Sequence, residues 1–125
     1  MAQTVSFGEV GGLLADASFL HVMQVMARTE LLSGADQHPC VLLVTDKDVF
    51  FGGIRVGGEF KRIRRGTIAS ACRVGKNFLM AVRVCYSHEG EARSVFLCPF
   101  NGHPSFPEID LERLSELERL LENGK

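Results

Sequence analysis

The chain contains no C-x-x-C pair, no close Cys/His pairing of the structural-zinc kind, and neither glycine fingerprint of a nucleotide site. Gly52, Gly53, Gly57 and Gly58 bracket three residues, but no Gly-Lys-Ser or Gly-Lys-Thr follows and the G-x-G-x-x-G spacing is missing. Neither nucleotide fingerprint is met, and these glycines read as strand ends, bulges or turns. No apolar run is long enough to cross a bilayer: the longest, residues 17–27, is interrupted by His21 and Gln24. No basic stretch precedes an apolar one near Met1, so no secretory signal is visible and an intracellular, cytoplasmic protein is expected. Cys40, Cys72, Cys85 and Cys98 are widely spaced within apolar runs, the pattern of reduced, buried thiols rather than of a disulfide framework.

What is present is one ordinary globular domain. The 125 residues are 46% hydrophobic and 23% charged, enough to bury a core and too apolar for disorder. Net charge is −1, yet the cations are concentrated: residues 51–76 hold seven of the fourteen Lys and Arg against one acid, Glu59. Residues 105–125 are the reverse, with six acids to three cations.

The clearest local structure lies in residues 40–54. Val41, Leu42, Leu43 and Val44 run into a polar turn at Asp46 and Lys47, and Val49, Phe50 and Phe51 return. Such runs bury their faces by pairing as a β-hairpin, with the Asp46 carboxylate expected to fold onto the turn backbone. A second, longer hairpin is expected over residues 78–98, turning at 87–91. Between them, residues 67–74 alternate as a strand, with Ile68, Ser70, Cys72 and Val74 on one face and Thr67, Ala69, Ala71 and Arg73 on the other. Thr4 to Phe7 suit a short edge strand.

Two helices are expected at the flanks. Leu13, Leu14, Ala17, Leu20, Met23, Ala27, Leu31 and Leu32 recur at helical spacing, predicting one helix or a broken pair over residues 12–33. Ser105 and Glu108 form a Ser-x-x-Glu capping box with Pro107 in the first turn. The helix that it opens carries Leu111, Leu114, Leu117, Leu120 and Leu121 on one stripe, with Glu112, Glu116, Glu118, Arg119 and Glu122 facing away and Asn123-Gly124 at its end. The chain therefore divides into an N-terminal helical segment (1–33), an antiparallel β core (34–104) and a C-terminal helix (105–124). The fold class is mainly β with flanking helices.

Residues 41–51, residues 63–71, the 78–98 hairpin and the 111–121 helix together resemble the pleckstrin-homology-like superfold. Its GRAM and bacterial PH-like branches are nearest. The resemblance covers about residues 30–122 and implies a barrel or sandwich of hairpins capped by the C-terminal helix. It also implies binding of phosphoinositide headgroups, peptides or proteins without catalysis or cofactor. The N-terminal helix is an addition to that plan.

The strongest functional signal is the basic group Arg55, Lys61, Arg62, Arg64, Arg65, Arg73 and Lys76. On a strand, Arg62 and Arg64 share one face and Lys61 and Arg65 the other, so two or three of them can grip one acidic ligand. Arginine forks suit phosphate and carboxylate. The expected partner is an anionic lipid headgroup or an acidic or phosphorylated protein segment. The competing readings are an edge strand guarded by cations, or contacts in a homo- or hetero-oligomer with the acidic 105–125 helix. Nucleic acid fits poorly, since the chain as a whole is not basic and lacks an aromatic RNP-like pattern. A metal site from His38, Cys40, Cys98 and His103 lacks close spacing, and a Cys paired with His21, His88 or His103 has no activating context. The carboxylates Glu112, Glu116 and Glu118 read as a solvated face.

Overall fold

The computed structural model describes residues 3–28, 38–52, 59–75, 80–102 and 108–123. In chain order they form β1 (Gln3–Ser6), α1 (Phe7–Ala15), β2 (Leu20–Arg28), β3 (His38–Thr45), β4 (Asp48–Gly52), β5 (Glu59–Arg64) and a 3-10 turn (Arg65–Thr67). There follow β6 (Ile68–Val74), β7 (Ala81–His88), β8 (Glu91–Asn101), β9 (Glu108–Ile109) and α2 (Leu111–Asn123). The fold is mainly β: one antiparallel nine-stranded sheet in the order β1-β5-β4-β3-β2-β8-β7-β6, with β9 on β8, and a C-terminal helix.

That order forces the sheet to fold back on itself. Strands lie about 4.8 Å apart, so β5 and β6, six places apart, would be separated by roughly 29 Å in a flat sheet. The chain from Arg64 to Ile68 can span at most about 14 Å. The sheet therefore curls, and its inner face holds one cluster drawn from β2 to β8: Val25, Leu42, Val44, Val49, Ile63, Val82, Val84 and Leu97 among others. Helix α2 lies over this face and inserts Leu114, Leu117 and Leu121, each 0% exposed. On the opposite face α1 packs Val10, with Leu13 and Leu14, against Val5, Phe50 and Phe60. Its N-cap is Ser6, whose Oγ accepts from the Glu9 N–H at 3.2 Å.

Both hairpins form where expected. In the first, Leu42 pairs with Phe51 and Val44 with Val49. Thr45 holds its turn beside Asp46: the Thr45 Oγ1 accepts from the Lys47 and Asp48 N–H groups at 3.2 and 2.9 Å, while the Asp46 carboxylate accepts from the backbone of Ser18 and of Asp46 itself. Gly52 closes the returning strand at a close approach, since a Cβ there would lie 2.6 Å from the Glu59 carbonyl oxygen. Gly53, Gly57 and Gly58 lie outside the described residues. The second hairpin turns at Glu89 and Gly90, both at positive φ (52° and 80°), as a two-residue turn requires.

Four expectations need correction. Where a helix over 12–33 is expected, the described residues form α1 at Phe7–Ala15 followed by strand β2 at Leu20–Arg28, so the β core begins well before residue 34, and residues 29–33 lie outside the described residues. The physical reason is that β2 is apolar on both sides: Met23, Val25 and Ala27 face the α2 cluster, while Met26 packs with Ala81, Cys98 and Phe100 on the other face. Apolar residues on both faces obscure a period of two and mimic a helical stripe. The C-terminal helix starts at Leu111, not at a Ser105 cap. Glu108 and Ile109 are drawn into β9 against Asn101 and Phe100, and Asp110 caps instead, its Oδ1 accepting from the Arg113 N–H at 3.0 Å. In β6 a register shift between Ile68 and Ser70 breaks the simple alternation, so Ile68 and Ala71 are the buried pair and Cys72 is exposed. Glu116 and Glu118 are half-buried and engaged on the protein rather than facing away.

Leu117→Ala should destabilise the fold by about 2–5 kcal/mol through the cavity it leaves under α2. Leu111, 57% exposed, should cost under about 0.5 kcal/mol when cut to alanine. Urea unfolding of the two variants checks this contrast, and comparable losses would contradict the packing described.

Candidate functional site

The described members of the basic group do not converge on one surface. Lys61 donates its Nζ to Thr4 Oγ1 at 2.8 Å and ties β5 to β1. Arg62 donates Nε to Asp48 Oδ1 at 2.8 Å, with side chains only 14% and 6% exposed. Arg64 is exposed, and its side chain has no hydrogen-bond or ion-pair partner among the described residues. Arg73 docks α2 onto β6, donating Nη2 to Ser115 Oγ at 2.6 Å, while its backbone N–H donates to Glu118 Oε2 at 2.7 Å. That carboxylate takes a place an incoming strand's carbonyl would need on the β6 edge. Arg55 and Lys76 lie outside the described residues.

Arg65 differs from the rest. It is 4% exposed, immediately after β5 turns into the 3-10 segment, and its backbone N–H donates to the Lys47 carbonyl at 3.0 Å. Its Nη1 donates to the Thr45 carbonyl at 2.8 Å and its Nη2 to the Leu120 carbonyl. One guanidinium thus joins the β3–β4 turn to the last turn of α2, whose terminal carbonyls lack intrahelical partners. Burial pulls the Arg65 pKa below the ordinary arginine range while the Asp46 charge pushes back. Arginine remains a cation at neutral pH. Its Nε–H is buried without an acceptor among the described residues.

Arg65 also lines a cleft of about 580 Å³ between the start of β2 and α2. Phe19 and Leu120 form its apolar walls, and His21, Asp46, Glu116 and Arg119 complete the rim. The Phe19 and His21 rings meet edge-on, centroids 5.5 Å apart. His21 Nδ1 lies 3.4 Å from Glu116 Oε1, and Glu116 also accepts from Arg113 Nη1 at 3.2 Å. Asp46 Oδ1 accepts from the Ser18 N–H at 2.9 Å and Lys47 Nζ donates to the Asp16 carbonyl at 3.4 Å, so the turn holds the approach to β2 in place. The Ser18 N–H bond is the main cause that lowers the Asp46 pKa, with the Lys47 charge adding to it. Arg119 is exposed, and its side chain has no partner among the described residues.

The sequence reading placed Arg65 in the site but missed Phe19, His21, Glu116, Arg119 and Leu120 as its neighbours. The signal for Phe19 and His21 was hidden by the helical reading of residues 12–33. Glu116 and Arg119, three apart on α2, were read as solvent-facing charges. A smaller cleft of about 300 Å³ lies alongside, where Val22, Met23 and Gln24 face Asp110 and Arg113. Val22, on the wall of this smaller cleft, is 52% exposed.

The thiols do not build a site. All four are free, but only Cys98 is buried, Cys40 and Cys85 are half-buried and Cys72 is exposed, which corrects the expectation of four buried thiols. Burial raises the pKa of Cys40 and Cys98, disfavouring the thiolate. No three His, Cys, Asp or Glu side chains among the described residues gather as a metal centre requires, and the side chains of His38 and His103 lie outside them. No helix of the described residues is long and apolar enough to cross a membrane.

Arg65→Ala should cost about 3 kcal/mol, because it leaves the Thr45 and Leu120 carbonyls without their donor, whereas Arg64→Ala should stay within about 0.5 kcal/mol. Chemical denaturation distinguishes them, and equal losses would contradict the latch. A carboxylate whose folded pKa is depressed stabilises the fold above its unfolded pKa, near 4, and loses that contribution as pH falls through the folded value. Wild type should therefore exceed Asp46→Asn in stability at pH 6 and converge with it towards pH 3, as measured by urea unfolding in buffers across that range. A gap that persists at low pH would contradict the assignment. A scan against protein-family models finds no match to this chain, and comparison with curated proteins finds no significantly similar sequence.

Proposed function

We propose that this chain is a non-catalytic recognition domain of the pleckstrin-homology-like kind that binds a segment of another protein in the cleft between β2 and α2. The observation that carries the reading is the company around that cleft. An aromatic ring 40% exposed (Phe19), the partly buried Leu120, a buried cation (Arg65) and an exposed one (Arg119) line one opening. Apolar walls with a few charged groups at the rim of a concave opening are the usual make-up of a binding site. Two hairpins followed by one C-terminal helix laid over the curled sheet support the pleckstrin-homology-like part, and β1 with α1 is the addition to it. Four unpaired thiols fit a reducing, cytoplasmic setting.

A second reading keeps the acidic ligand on β5. Arg64, exposed and unengaged among the described residues, would then meet an anionic membrane surface. The spread of the described cations favours the cleft.

Selection of random linear peptides displayed on phage tests the reading. Wild type should enrich peptides whose affinity falls at least about tenfold in Phe19→Ala, about 1.4 kcal/mol. Absence of enrichment, or enriched peptides indifferent to Phe19→Ala, would remove the cleft as the site. Salt-sensitive binding to phosphatidylserine vesicles abolished by Arg64→Ala would favour the second reading.

A further inference from the structure

The geometry points to an acidic occupant: we propose that the cleft selects a protein segment carrying a carboxylate side chain beside an apolar one. The carboxylate is held by Arg119 over the charge of Arg65, and the apolar neighbour lies against Phe19 and Leu120. This rests on the recognition reading above and names the chemistry of its partner.

The argument is one of unspent charge. The cleft is lined by two acids and two arginines, but the acids are already engaged. Asp46 accepts the Ser18 N–H and sits beside Lys47. Glu116 pairs with Arg113, which brings a positive charge of its own, and lies 3.4 Å from His21 Nδ1. The arginines are not equally satisfied. Arg65 is nine-tenths buried and retains an N–H with no acceptor, and Arg119 has no partner among the described residues. Counting the cations that attend the acids, the field at the opening is positive.

A buried guanidinium held by two neutral carbonyls keeps its full charge in a setting where water screens poorly. An anion entering the cleft lowers the energy of that charge without moving Arg65. Arg119, on the solvent side, supplies the planar fork that takes a carboxylate directly. The apolar walls set the second requirement, because a carboxylate alone leaves Phe19 and Leu120 uncovered. The sequence signature of the partner is therefore Asp or Glu next to a large apolar residue.

The test uses the peptides that the display selection enriches, together with versions in which every Glu is Gln and every Asp is Asn. Binding is read by fluorescence anisotropy to wild type and to Arg119→Ala, whose exposed position leaves the thermal melt unchanged. The expected result is that Phe19-dependent peptides contain Asp or Glu beside an apolar residue. The neutral versions then bind at least about tenfold more weakly, Arg119→Ala costs the acidic peptide a similar factor, and Arg119→Ala costs the neutral version little more. Affinity of the acidic peptide should also fall with salt. Phe19-dependent peptides that bind equally well in acidic and neutral form would overturn the acidic specificity while leaving the recognition reading in place. No Phe19-dependent peptide at all would overturn both. Binding to phosphatidylserine vesicles lost in Arg119→Ala, with no acidic peptide bound, would assign the opening to a membrane surface and overturn the protein partner.

Discussion

The structure depends on one buried guanidinium. Arg65 donates to the carbonyl of Thr45 in the first hairpin and to the carbonyl of Leu120 in the last turn of α2, and its own backbone N–H holds Lys47. A curled sheet with a helix over its inner face has an inherent weak point where the helix ends, because the last carbonyls have no partners and the strands beneath them are turning. Arg65 meets both needs with one side chain. A lysine offers a single point of attachment and cannot reproduce the fork. The cost is a cation with little water around it, offset by two carbonyls and by the nearby Asp46 carboxylate.

That constraint also shapes the opening beside it. With the turn anchored to α2, Asp46 and Lys47 hold the segment that leads into β2, and Phe19 and His21 are carried to the helix edge. Fold stability and ligand recognition thus meet at the same residue. Their demands differ: the latch uses the Nη groups, whereas the proposed ligand responds to the charge and to Arg119.

How much was legible from the chain alone follows from the physics of each element. Residues 41–51 and 81–98 alternate or cluster apolar and β-branched residues around short polar turns, and such patterns have few solutions, so both hairpins were readable. Leu114, Leu117 and Leu121 likewise defined a helix with one buried stripe. Residues 20–28 were misread because apolar residues on both faces of β2 erased the period that separates strand from helix. Glu108 was misread because pairing of Ile109 with Phe100, a long-range event, overrode a plausible local cap. The bulge after Ile68 could not be seen because nothing in Ala69 or Ser70 marks it. Of the basic group, residue type and density were visible but partners were not. Asp48 for Arg62, Ser115 for Arg73 and Leu120 for Arg65 are contacts made only after folding, and they turn a run of cations into separate roles.

The most direct test of the Arg65 latch is residue-resolved amide hydrogen exchange in wild type and Arg65→Lys, read by NMR. If Arg65 ties the end of α2 to the first hairpin, the amides of Leu120 and Leu121 and of the Thr45–Asp48 turn should lose protection selectively, while Val82, Val84 and Leu97 in β7 and β8 keep theirs relative to global stability. Protection that falls uniformly across the sheet, or does not change at the helix end, would contradict the latch and with it the account of how the cleft is held open.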